Sequence, residues 1–130
     1  MRRLVAVAAT AFLIPGCSGE PAATPAGTSP AAPSASPDEI FADTMDARSP
    51  GWREDFAVAG TEGSEREALA ILSAKTACSK LEAMPVEDVL LSFLAGELPP
   101  DTVGTLVYSA TVAYCPSFTE AVQSYADANR

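Results

Sequence analysis

Two cysteines, Cys78 and Cys115, constrain this chain more than any other feature. Cys115 stands in Ala113-Tyr114-Cys115-Pro116, where the proline forbids a further helical turn. The third cysteine, Cys17, falls at the end of an N-terminal leader and is assigned below to processing, which leaves Cys78 and Cys115 as the one pair in the part that folds. An exported domain too small for a deep core needs a staple. Closing a loop of this length stabilises a fold by roughly 4 kcal/mol in the chain-entropy model.

A length of 130 residues leaves room for one domain at most. The chain has no histidine, which excludes histidine-based triads and histidine metal sites. Its formal net charge of -9 repels nucleic acid and anionic lipid headgroups, so neither is an expected partner.

Met1-Arg2-Arg3 is a short basic start, and Leu4 to Ile14 forms an uncharged apolar run, too short to span a bilayer and suited to a signal peptide. The run ends in Leu13-Ile14-Pro15-Gly16-Cys17, which resembles the lipobox of bacterial prolipoproteins. Ile14, Gly16 and Cys17 match its aliphatic, small and cysteine positions, while Pro15 departs from it. The expectation is a leader over residues 1–16, lipidation at Cys17, and a membrane anchor on the extracytoplasmic face of the cell membrane. Ordinary cleavage with Cys17 left as a stray thiol is the alternative, although no well-placed Ala-x-Ala follows.

Residues 17–37 are rich in Pro, Ala, Ser and Thr and carry no large apolar side chain. Such a segment cannot bury enough surface to offset its ordering entropy, so a disordered, semi-extended spacer is expected. Thr24, Thr28, Ser29, Ser34 and Ser36 lie beside or near prolines, the composition of O-glycosylated stalks; a plain tether is the other reading.

Residues 38–130 read as an all-α bundle of about four to five helices. Pro37-Asp38-Glu39 opens the first, with Ile40, Phe41 and Met45, and Ser49-Pro50-Gly51 stops it. Trp52 to Val58 admits one or two helical turns before Gly60. Ser64-Glu65-Arg66-Glu67 predicts a capping box, with Ser64 as N-cap, for a helix running to about Ala83. Leu69 and Leu72 are expected to fill one edge of its apolar face, with Ile71, Ala74, Cys78 and Leu81 at helical spacing. Pro85 begins a helix with a Val86, Val89, Leu90, Phe93 and Leu94 stripe, stopped at Gly96. From Asp101, Val103, Leu106, Val107, Ala110 and Tyr114 point inward in a helix that ends before Pro116. Ser117-Phe118-Thr119-Glu120 predicts another capping box and a last helix with Val122 and Tyr125. Short connections make the central helices antiparallel, which brings Cys78 and Cys115 within reach of each other.

A cysteine helix, a Val/Leu-rich helix, a proline break and a helix ending Ala113-Tyr114-Cys115-Pro116 occur here in order. In this the chain resembles the small secreted actinobacterial proteins grouped as domain of unknown function 732, over roughly Phe41 to Pro116 and most strongly from Thr76. The resemblance implies an all-α fold with one disulfide, and secretion. It implies no activity. The chain departs from that pattern in a longer stretch at Arg53 to Gly63 and a longer tail after Pro116.

The spacing of Cys78 and Cys115 favours a structural disulfide over a redox pair, and two thiolates without histidine make a poor zinc site. Asp43 with Asp46, Glu54 with Asp55, and Glu87 with Asp88 are the acid pairs that a carboxylate dyad would need; a solvated acidic face is the favoured reading. Lys75 and Lys80 are expected to pair with acids on neighbouring turns. Trp52 is either an exposed interface anchor or a plug for the open end of the bundle, the plug being favoured. Tyr108 and Tyr114 read as core or core edge. Taken together these features point to a lipid-anchored envelope protein acting as a binding or interaction module, with an envelope protein as candidate partner and no catalytic residue, metal or cofactor. A small envelope hydrolase using carboxylates and a purely structural or antigenic surface protein are the rival readings.

Overall fold

Among the described residues, proline and glycine punctuate the chain into six α-helices, each a few turns at most except the third. They are α1 (Pro37–Arg48), α2 (Trp52–Asp55), α3 (Gly63–Leu81), α4 (Val86–Leu94), α5 (Pro100–Tyr114) and α6 (Thr119–Ala128), with a 3-10 turn over Pro116–Phe118. The computed structural model describes residues 33–130, and no strand occurs among them. The leader, Cys17, Thr24, Thr28, Ser29 and most of the linker lie outside the described residues.

α1 begins at a reciprocal cap. The Ser36 hydroxyl accepts from the Glu39 N–H at 3.2 Å, and the Glu39 carboxylate accepts from the Ser36 N–H at 2.6 Å. Ser36 and Pro37 therefore belong to the helical domain, and the Ser36 oxygen is engaged as a cap. Gly51 ends the segment after α1 with φ 86°, a left-handed conformation that a side chain disfavours. α2 follows at once, which settles the stretch that periodicity alone left open.

The starts of α3 and α6 differ from expectation. α3 starts at Gly63, and the Glu65 carboxylate, not that of Glu67, reaches back, accepting from the Glu62 N–H at 3.0 Å. Glu67 is drawn instead to Arg53, whose Nη2 and Nε donate to it at 3.0 and 3.1 Å. α3 ends at Leu81, where the Ala83 and Met84 N–H groups both turn back to the Lys80 carbonyl. The box expected at Ser117 does not form. Pro116–Phe118 tightens into a 3-10 turn, with Phe118 packed against the core, and α6 starts at Thr119 without a side-chain cap.

α5 is the hub. It packs against α1, α3, α4 and α6, and its one charge, Asp101, sits in the first turn. Val103, Leu106, Val107, Ser109, Ala110 and Thr111 are buried along it. The buried face of α3 is Ala70, Ala74, Ala77, Cys78 and Leu81, so small side chains fill most of it and Leu81 is its one large aliphatic. That orientation leaves Leu69 and Ile71 half-buried and turns Leu72 outward, 62% exposed, against the expectation that it fills the core edge. α3 and α5 run in the same direction, both starting beside α2, so their C-terminal ends bring Cys78 and Cys115 to a disulfide distance of 2.03 Å between sulfurs, with Cα atoms 5.9 Å apart.

Candidate functional site

Trp52 is the plug. It is 0% exposed and meets Phe41 and Phe56 edge-on, with ring centroids 5.9 and 6.0 Å away. Its Nε1–H donates to Asp46 at 2.8 Å, and the Arg53 guanidinium lies over its ring, 4.3 Å from the centroid. The remaining polar groups of α2 fasten it to three helices: Arg53 to Asp46 and Glu67, Glu54 to Arg66, and Asp55 to the Thr102 hydroxyl. Trp52 thus presents nothing to a partner.

These pairings engage Asp46, Glu54 and Asp55, which leaves Asp43 without its partner for a facing dyad and takes up both members of Glu54/Asp55. Hydrogen bonding from Arg53, reinforced by Trp52, holds the Asp46 carboxyl below its ordinary range. Lys75 reaches across to Asp38 of α1 at 3.2 Å, not to a neighbouring turn of its own helix. Asp38 also accepts from the Tyr114 hydroxyl at 2.7 Å, which lowers its own ionisation range; burial and that bond raise the Tyr114 hydroxyl's. The Asp38, Lys75 and Tyr114 side chains clasp α1, α3 and α5 together beside the disulfide. Lys80 has no carboxylate within ion-pair distance among the described residues.

A concave surface lies on the other side of α5. α4, α5 and α6 enclose a groove of about 630 Å³, closed at one side by Arg48 from the end of α1. Leu90, Val103, Tyr108, Val122 and Tyr125 give it apolar depth, and Leu91 and Leu94 stand on its rim, 56% and 39% exposed. Polar groups at the mouth are Glu87, Asp101, Gln123, Asn129, Arg48 and Arg130. The Arg48 guanidinium lies over the Tyr108 ring, 3.7 Å from its centroid. It makes no ion pair among the described residues, whereas Arg130 is paired with Asp127 at 3.4 Å.

Of these groove residues the sequence singles out only Tyr108, as core or core edge, and Glu87, as part of a solvated acidic face. A signal was present in α4, where Val86, Val89, Leu90, Leu91, Phe93 and Leu94 are apolar. That set is too wide for one buried stripe. Val89 alone is fully buried, Val86 and Phe93 pack against the core at its edge, and Leu90, Leu91 and Leu94 line the groove.

Among the described residues no group of three or more His, Cys, Asp or Glu side chains is placed to hold a metal ion. No helix there is long and apolar enough to cross a membrane. No curated protein and no solved structure matches the chain. The family match runs from the start of α1 to the 3-10 turn, so α6, one wall of the groove, lies beyond it. Residues 37–117 match the family described as "Protein of unknown function (DUF732)", and with more than half of its length in that match the chain belongs to this family.

Proposed function

We propose that this chain is a lipid-anchored cell-envelope protein whose helical domain is a binding module, with the α4–α5–α6 groove as its ligand site. The observation that carries the binding role is the pair of exposed leucines, Leu91 and Leu94, at the rim of an apolar groove of about 630 Å³. That volume lies inside the range of about 300–1,000 Å³ common to small-molecule sites. A purely structural or antigenic protein has no use for such a groove. Of the acid pairs a hydrolase would draw on, Asp46, Glu54 and Asp55 are each engaged with Arg53, Arg66 or Thr102, which leaves Glu87 with Asp88 as the one pair with both members free of such bonds among the described residues. The anchor rests on the sequence at Ile14, Gly16 and Cys17, and the disulfide pair agrees with an oxidising, extracytoplasmic setting.

Two measurements test the reading. Cys17→Ala should move the protein out of the detergent phase in a two-phase partition and block lipid addition; a variant that partitions and matures like the parent removes the anchor. For the groove, a neutral apolar dye such as Nile red should brighten on the parent chain and stay dim on Leu91→Glu, with far-UV circular dichroism unchanged. Equal brightening on both removes the groove as the site.

A further inference from the structure

Within the binding role proposed above, on which this step rests, we infer that the groove takes a single-chain amphiphile with an anionic head, the chain lying along α4 and α5 and the head at Arg48. The domain's charge makes the position of Arg48 informative. Residues 33–130 carry six cationic side chains against a large excess of acids. Arg53, Arg66, Lys75 and Arg130 are each tied to a carboxylate. Among the described residues Arg48 and Lys80 have no such tie, and of the two Arg48 lines the groove. The Arg48 guanidinium carbon lies over the Tyr108 ring, 3.7 Å from the centroid, and no carboxylate takes up its N–H groups. Those donors match a carboxylate or phosphate in a planar, two-bond contact. A free cation at the end of an apolar groove is the pairing that an anionic amphiphile complements.

The rest of the rim narrows the ligand further. Glu87 and Asp101 also line the groove, so a bare inorganic anion gains little here, and the apolar chain must supply most of the affinity. A protein partner is disfavoured by area. A standard interface needs about 800 Å² from each side, and Leu91 and Leu94 are the only large apolar residues on this face that are substantially exposed. Arg48 also has a structural part, closing the C-terminal end of α1 where a cation is favoured. Its substitution is therefore read by head-group dependence, not by stability.

The experiment is calorimetric titration of the full chain carrying Cys17→Ser, so that no acyl group can be attached there. The probes are hexadecanoate, hexadecyl phosphate, hexadecanol and hexadecyltrimethylammonium, each below its micelle threshold. The two anions should bind best. Arg48→Gln should weaken them about tenfold, the scale of one exposed charge-assisted contact, and leave hexadecanol unchanged. Leu91→Glu should weaken all four. A difference between hexadecanoate and hexadecyl phosphate identifies which head the site prefers. Hexadecanol or the cation binding as tightly as the anions, or Arg48→Gln weakening none of them selectively, overturns the head-group inference while the groove reading stands. Binding by none of the four, or binding indifferent to Leu91→Glu, overturns both.

Discussion

Reduction of the Cys78–Cys115 bridge should cost this domain a large share of its stability. The two cysteines are separated by 37 positions. In the chain-entropy model, opening a loop of that size returns about 13 cal/mol/K to the unfolded ensemble, or about 4 kcal/mol at 25 °C. A domain near one hundred residues has about 5–15 kcal/mol in total, so reduction should leave it marginal. Each kcal/mol shifts Tm by about 4–8 °C at this size, which puts the expected fall at about 15–30 °C. The folded state itself changes little, because Cys78 is only 9% exposed and its sulfur stays packed when reduced. The Cys78→Ala, Cys115→Ala double variant should lose about 1 kcal/mol more, since it also removes packed sulfur atoms. Urea unfolding followed by far-UV circular dichroism measures all three forms in a Cys17→Ser background, which prevents mispairing. The m value should rise on reduction, because an unlinked chain exposes more surface. A reduced form within about 1 kcal/mol of the oxidised one, with m unchanged, would refute the loop-closure reasoning.

Trp52→Ala should destabilise by about 3–5 kcal/mol, the range for emptying a fully buried large aromatic site, whereas Trp52→Phe loses part of the ring and the bond to Asp46, about 1–3 kcal/mol. Circular dichroism must follow the unfolding, since the chain has one tryptophan; a loss under about 1 kcal/mol for the alanine variant would contradict the plug. Stability should also fall in acid. Asp38, bonded by Tyr114 and Lys75, and Asp46, bonded by Arg53 and Trp52, both ionise below their ordinary range in the fold. As pH falls, the unfolded chain therefore takes up protons first, so their contribution is complete above about pH 4 and declines as pH drops through the lower folded values. Both side chains are about half exposed, so solvent keeps the effect small. Asp46→Asn should flatten the acid limb of a urea midpoint-versus-pH curve, and a parent chain that gains stability on acidification from pH 5 to pH 3 would contradict the assignment.

The helical class, the breaks at Pro50, Pro85, Pro99 and Pro116, and the pairing of Cys78 with Cys115 were all legible along the chain. Each depends on local backbone chemistry or, for the cysteines, on there being one pair to close. Prolines remove a donor and restrict the preceding residue wherever the chain goes, and the inward residues of α5 follow from its 3.6-residue period. What the amino-acid order left undecided depends on partners distant in sequence. Glu67 reads locally as a capping residue, yet Arg53 captures it from α2 and Glu65 takes its place. Leu72 reads as core, yet Ala70, Ala74 and Ala77 occupy the buried face of α3 and Leu72 stands in solvent. Lys75 reads as an intrahelical pair, yet α1 brings Asp38 beside it. The groove has the same origin. Leu91, Leu94, Tyr108, Tyr125 and Arg48 come from four helices, and only the packing of α4, α5 and α6 around a shared opening turns a surplus of apolar residues into a surface able to bind.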